Sequence, residues 1–204
     1  MLKKPENYDN IEVNLEFIPI SLGGHKGIIL GVEEYTSPIS GNTSLKVSVD
    51  TSKDDVQPDY FTEQYKSDTR PEKKWSNSAI KYVSLKEDEN CVRMLKGFIT
   101  SVENSNNGFV YDWNKEVDQL KGKKVGLVFG LEEYTNNDGE TKTITKLNQF
   151  RSIDKINEVK IPKVKLLNGD LIEYDEYKNR IKVNELKQEF GSSVVEIPNE
   201  ELPF

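Results

Sequence analysis

The chain has 204 residues, of which 35% are hydrophobic and 31% charged, and its formal net charge is −7 at pH 7. This length suffices for one substantial core, and the composition is that of a soluble protein on the hydrophilic side of average. One cysteine and one histidine exclude an internal disulfide and a zinc site built from Cys and His. No apolar run reaches the roughly 18 residues of a membrane span, and residues 1–13 lack the apolar stretch of a signal peptide, so we expect a cytoplasmic protein without membrane contact.

The first predicted element is a β-hairpin. Residues 28–35 are β-prone, residues 37–42 form a Pro/Ser/Gly/Asn turn cluster, and apolar residues alternate over 45–49. This pattern is typical of two antiparallel strands joined by a turn. His25 precedes the hairpin and is predicted to decorate a turn beside two glycines.

The next segment, residues 60–86, is basic and aromatic although the chain as a whole is acidic. It has six Lys or Arg residues against three Asp or Glu, and five aromatic residues are interleaved with the basic ones. A basic groove that follows phosphates and aromatic faces that stack on bases are two means of binding single strands of any sequence. The alternative is a charged surface loop whose aromatic side chains pack inward. Residues 56–65 and 79–85 are both candidates for a third strand.

A helix is predicted after this segment. Ser84 and Glu87 have capping-box spacing, apolar residues recur over 92–102 with a helical period, and residues 104–108 supply a stop signal. Cys91 lies in this helix and is predicted to be a plain thiol.

The last clear element is a second hairpin, whose outgoing arm repeats the first. "GVEEYT" at 31–36 returns as "GLEEYT" at 130–135, followed by an "NNDG" turn and a threonine-rich return strand. Gly31 and Gly130 interrupt their strands, which favours a bulge or bend that curls a sheet. Tyr35 and Tyr134 close the two arms, and we expect them at the edges of one ligand groove. The alternative is that the likeness reflects β-propensity alone.

The order of hairpin, third strand, helix and hairpin predicts a mainly β protein with an OB-fold. That fold is a partly open five-stranded barrel with one helix between strands three and four, and a Greek-key or other α+β sheet is the alternative. We assign residues 11–160 to this OB-like single-strand-binding domain. Residues 161–190 form a C-terminal extension that could contain an extra hairpin, and residues 191–204 are predicted to be a flexible acidic tail.

Four stretches of the chain also resemble a known family. "LGGHKGII", "QPDYFTEQYKSDTRPEKKW", "LKGFITSVENSNNGFVYDWN" and "LKGKKVGLVFGLEEY" resemble phage-encoded replication-module proteins, an uncharacterised phage domain family often described as single-stranded-DNA-binding. The resemblance covers residues 17–165. It implies a phage or prophage protein of a Gram-positive host that coats single-stranded DNA.

The chain ends on "NEELPF", which is similar to the acidic tip ending in Pro-Phe on bacterial single-stranded-DNA-binding proteins. That resemblance implies docking of replication or recombination proteins, from host or phage, on the tip. The implied partner-binding residues are Glu200, Glu201, Leu202, Pro203 and Phe204.

Together these patterns predict a protein that coats single-stranded DNA during replication and recombination without strong sequence preference. The sequence contains no P-loop, nucleophile elbow or dinucleotide fingerprint, so no catalytic residue, metal or cofactor is expected. We also expect a homo-oligomer. The alternative function is a protein-only replication or recombination adaptor that does not bind DNA directly. The predicted single-stranded-DNA contacts are Tyr35, Tyr65, Lys66, Arg70, Lys73, Lys74, Trp75, Lys81, Tyr82 and Tyr134.

Overall fold

The computed structural model describes residues 3, 4, 6 and 18–190, with the backbone alone for 183–190. This part of the chain forms seven strands and three α-helices. The strands are β1 (Gly23–Thr36), β2 (Thr43–Thr51), β3 (Ile80–Ser84), β4 (Lys124–Thr135), β5 (Thr141–Arg151), β6 (Val164–Lys165) and β7 (Leu171–Ile172), and the helices are α1 (Tyr60–Ser67), α2 (Glu89–Ser105) and α3 (Tyr174–Phe190). None of the helices in the described ranges has the length and apolar character needed to cross a bilayer.

The strands form one mixed sheet, so the protein is mainly β as the sequence predicts. The strand order is β3-β2-β1-β4-β6-β7, and β5 pairs with β4 outside this path. Strand β1 is long enough to serve two neighbours, because residues 23–28 pair with β4 while residues 27–36 pair with β2. The pairing of β4 with β6 is parallel, and the other pairs are antiparallel.

The sheet differs from the predicted five-stranded barrel in two respects: it has seven strands in the described residues, and it is not closed. The gap lies between β3 and β5, which form no ladder with each other. Lys81 gives a physical reason, since it pairs with the fully buried Val47 and lies on the same face of β3 as Val83. A charged side chain on the inward face of an edge strand opposes further strand pairing.

The core lies between the inner face of the sheet and helix α2. Val47 of β2 and Leu127 and Phe129 of β4 are fully buried, and Phe98 and Val102 of α2 pack in the same cluster. Burying such side chains contributes about 1.5–3 kcal/mol each. This cluster holds the sheet and α2 together.

Helix α2 begins at Glu89, so the predicted capping box of Ser84 and Glu87 is wrong. Ser84 is instead the last residue of β3, held there by its pairing with Ser44. The helix cap is Asp88, whose carboxylate accepts a hydrogen bond from the backbone N–H of Cys91 at 3.0 Å. An acceptor at this position satisfies one of the free N–H groups of the first turn.

The third strand is β3, and the other candidate segment is largely helix α1. The buried carboxylate of Asp50, on β2, accepts hydrogen bonds from the N–H groups of Phe61 at 2.8 Å and Thr62 at 2.9 Å. Asp59 precedes the helix with φ 47° and offers no side-chain cap. A residue from the sheet therefore caps α1, which fixes the position of the basic and aromatic segment that follows.

A short 3-10 turn, Ile153–Glu158, packs directly on β1 and β4. A Cβ atom on Gly24 would collide with the carbonyl oxygen of Ile156, and one on Gly126 would collide with the Ile156 side chain. Only glycine permits so close an approach between backbones. The second glycine of "LGGHKGII" therefore has a packing role in this fold.

The C-terminal extension packs against the far end of β4. Strands β6 and β7 pair around a turn in which Gly169 has φ 89°. Helix α3 follows, and the Tyr177 hydroxyl donates a hydrogen bond to Glu133 at 3.0 Å. Burial, together with this bond, raises the pKa of Tyr177 to about 12.

Candidate nucleic-acid interface

Four surface grooves share lining residues in series and form one path from the β1–β2 turn to helix α1. The first has a volume of about 590 Å³ and shares Tyr82 with the second, of about 270 Å³. The second shares Leu131 with the third, of about 480 Å³, which shares Gln64 with the fourth, of about 380 Å³. A long ligand could therefore contact all four in sequence.

The first groove, called here the tyrosine groove, is built on the outer face of β1, β2 and β3. Tyr35 pairs with Ser44 on β2, which pairs in turn with Ser84 on β3, so the small serines form the floor. The rings of Tyr35 and Tyr82 lie 5.3 Å apart at 56°, and these side chains are 37% and 47% exposed. Two exposed aromatic rings above a floor of small polar residues are suited to stacking with bases.

The second groove, called here the lysine seam, lies at the gap between β3 and β5. Its charged residues are Lys81, Lys146, Lys165 and Glu132. The carboxylate of Glu132 accepts from Lys165 at 2.7 Å and lies 3.4 Å from the ammonium of Lys146. The seam therefore holds three lysines and one carboxylate, a local excess of two positive charges.

Lys81 is the lysine of this seam that has no counter-ion. No hydrogen bond or ion pair holds its ammonium within the described part of the chain. Burial and then the neighbouring Lys146 lower the pKa of Lys81, and Glu132 offsets this only in part. By contrast, the hydrogen bond from Lys165 lowers the pKa of Glu132, which stays ionised.

The fourth groove is lined by α1 and the residues after it. The Tyr65 ring is 39% exposed, lies 5.9 Å from the Trp75 ring and has the Lys73 ammonium 5.7 Å from its centre. Trp75 is only partly exposed and packs against the core. Trp75 thus packs inward, as the surface-loop alternative expects. Tyr65 faces the groove, as the binding interpretation expects.

Several of the predicted basic contacts are engaged within this segment. Lys66 pairs with Glu63 at 2.7 Å, and the Arg70 guanidinium binds the Asp68 carboxylate through two nitrogens, which lowers the pKa of Asp68 to about 2. Lys74 lines the groove beside Arg70. The charge available to a ligand here is therefore smaller than the residue count indicates.

The structure does not bring Tyr134 together with Tyr35, contrary to the predicted shared groove. Strands β1 and β4 pair antiparallel through their first halves, so their second halves extend in opposite directions. Tyr134 lies on the second half of β4, opposite Lys142 of β5, and is 42% exposed. The partner of Tyr35 is Tyr82, from β3.

Lys146, Lys165 and Glu132 are site residues that the sequence analysis missed. Lys142, Ile144 and Lys146 alternate with threonines, which indicates a strand face with two lysines. That pattern does not reveal which strand lies beside them.

His25 was predicted on a turn, but it lies in β1 and is 1% exposed. Its Nδ1 lies 2.8 Å from Asp55, and its Nε2 lies 2.9 Å from the Ser21 hydroxyl, a spacing that resembles a catalytic triad. Nε2 also lies 3.1 Å from the Ser21 carbonyl oxygen, which can only accept a hydrogen bond. Both contacts of Nε2 are therefore made to Ser21, and Nδ1 faces Asp55, so the ring links a residue before β1 to the turn after β2.

The His25 ring therefore clamps the start of β1 to the turn after β2. Burial alone would raise the pKa of Asp55, but bonds from His25 and from the N–H groups of Gln57 and Lys26 hold it below its ordinary value. Across residues 18–182, and at the three described positions before them, no group of three or more His, Cys, Asp or Glu side chains is placed to hold a metal ion.

The predicted partner-binding residues 200–204 lie outside the described residues. Comparison of the chain with protein-family models gives no match, and comparison with curated proteins gives none.

Proposed function

We propose that this protein is a single-strand nucleic-acid-binding module on an OB-like sheet. Strands β1 to β5 and helix α2 follow the chain order of that fold, and the open β3–β5 gap and the added β6 and β7 are departures from it. The observation that carries the proposal is the exposed pair Tyr35 and Tyr82, which continues at Tyr82 into the lysine seam. A stacking surface that adjoins a cationic groove matches the two needs of a single strand.

More specifically, we propose a phage-type protein that coats single-stranded DNA in replication and recombination, as the resemblance implies. Charge supports this: the four grooves are lined by six basic side chains against three carboxylates, although the chain carries −7 overall. The grooves are therefore positive on an acidic protein. The basic side chains are Lys74, Lys81, Lys86, Lys146, Lys165 and Arg70, and the carboxylates are Asp68, Asp88 and Glu132.

The test is fluorescence anisotropy of a labelled oligo-dT and of a duplex of the same length, at low and moderate salt. We expect binding to the single strand alone, with log Kd changing against log salt by about 0.7 for each phosphate contacted. Failure to bind oligo-dT at low salt would refute the proposal. Binding of a replication protein instead, with little response to salt, would favour the adaptor.

A further inference from the structure

We propose that the lysine seam is a phosphate-binding site. This inference rests on the proposed function and deepens it: the phosphate that occupies the seam belongs to the backbone of the bound strand.

The first argument is the unbalanced charge of the seam. A structural ion-pair network is expected to balance its charges, because a buried charge without a partner is costly. Here Glu132 serves Lys146 and Lys165, and the half-buried ammonium of Lys81 is left over. An anion in the groove would supply the missing counter-charge.

The second argument is access. Lys81 starts from the inward face of β3, and its ammonium reaches the groove at the gap that β3 and β5 leave open. Asn148 lines the same groove at a bulge in β5, where the register between β4 and β5 shifts by one residue. Bulges of this kind are common next to functional sites, and the amide of Asn148 can donate to an oxyanion.

The third argument is position along the path. Tyr82 lines both the tyrosine groove and the lysine seam. A strand that stacks a base on Tyr82 would therefore bring its backbone to the edge of the lysine seam. The two anionic oxygens of a backbone phosphate can accept from more than one of these lysines.

The test uses the double variant Lys81→Met/Lys146→Gln, which removes the excess charge of the seam while keeping the apolar stem of Lys81. We expect the salt dependence of oligo-dT binding to fall by about 0.7 in log–log slope, the contribution of one phosphate. Lys96→Gln is the matched control, since Lys96 is an exposed lysine of α2 outside the four grooves. Equal slopes in the double variant and in Lys96→Gln would overturn the inference.

A second measurement separates this inference from the proposed function and guards against a folding defect. Inorganic pyrophosphate is titrated into protein with ¹³C-labelled lysines, and we expect saturable shifts at Lys81, Lys146 and Lys165 but not at Lys96. Shifts without any oligo-dT binding would support the phosphate site and refute the DNA function. The absence of shifts in the wild-type chain would overturn the site, even if oligo-dT binds. Lys81→Arg keeps the positive charge and should leave the slope at its wild-type value.

Discussion

Replacing Tyr82 with alanine is the sharpest test of the tyrosine groove. Loss of a stacking aromatic ring costs about 1–3 kcal/mol per base. One face of Tyr82 is shared with Tyr35 and the side chain is 47% exposed, so one face is free for a base. We therefore expect a loss of about 1–2 kcal/mol, or about 5- to 30-fold in Kd, on every oligonucleotide sequence.

The matched control is Tyr134→Ala, which removes a tyrosine of similar exposure, 42%, from the other hairpin. Anisotropy with oligo-dT should show a change of less than about twofold for this variant, because such a factor corresponds to only ~0.4 kcal/mol. Tyr35→Ala should weaken binding like Tyr82→Ala, and the double variant should lose less than the sum because the two rings touch. Equal losses from Tyr82→Ala and Tyr134→Ala would refute the assignment of the groove.

Three further predictions concern stability and pH. Gly24→Ala should destabilise the fold by about 1–3 kcal/mol in urea unfolding, because the new Cβ meets backbone that cannot move aside. Gly97→Ala is the control: its Cβ meets open space in the middle of a helix, so the variant should be more stable by up to about 1 kcal/mol. Oligo-dT affinity should fall as pH rises through the lowered pKa of Lys81, before ordinary lysines lose their charge, and Lys81→Arg should remove this early fall; an unchanged pH profile would contradict it. The pKa of Tyr177 is raised to about 12, so the contribution of its protonated hydroxyl to the free energy of unfolding should be complete below pH 10 and lost as pH rises toward 12. Tyr177→Phe should abolish that pH dependence.

The local patterns of the sequence were sufficient to predict the two hairpins and helix α2, because each is encoded within about 30 consecutive residues. The predicted beginning of α2 was wrong. Ser84 pairs with Ser44, and no local sequence pattern contains a contact between such distant segments. The same limit applies to helix α1, whose cap is Asp50 from another element. Local signals therefore predict which elements form, whereas their ends are set by tertiary contacts.

Only part of the candidate site could be predicted, because the rest depends on tertiary contacts in the same way. Tyr35, Tyr82 and Lys81 were identified from residue type, and the structure places them along neighbouring grooves. Lys146 and Lys165 were missed because they lie near Lys81 only through the arrangement of β3, β4, β5 and β6. Composition could indicate a basic and aromatic surface, but it could not show that Arg70 is already bound to Asp68.

The repeated phrase has a structural explanation in the roles of its two glutamates. The first glutamate of each copy pairs with a lysine of its own return strand: Glu33 with Lys46 at 2.6 Å, and Glu132 with Lys146 at 3.4 Å. In each pair the glutamate is the counter-ion of a lysine on the same face of the hairpin. The first glutamate of both arms therefore contacts a lysine of the return strand, directly opposite it in the first hairpin and diagonally in the second.

The two copies differ in the surroundings of this glutamate, and the difference explains why the lysine seam lies at the second copy. Lys46 has Glu33 to itself, so that pair is neutral, and the hydrogen bond to Glu33 raises the pKa of Lys46. Glu132 is shared by Lys146 and Lys165, and Lys81 lies beside them without a partner. The hairpin contact of the second copy thus becomes a cationic groove, because the C-terminal extension and β3 each add a lysine there, whereas the first copy contributes Tyr35 to the tyrosine groove.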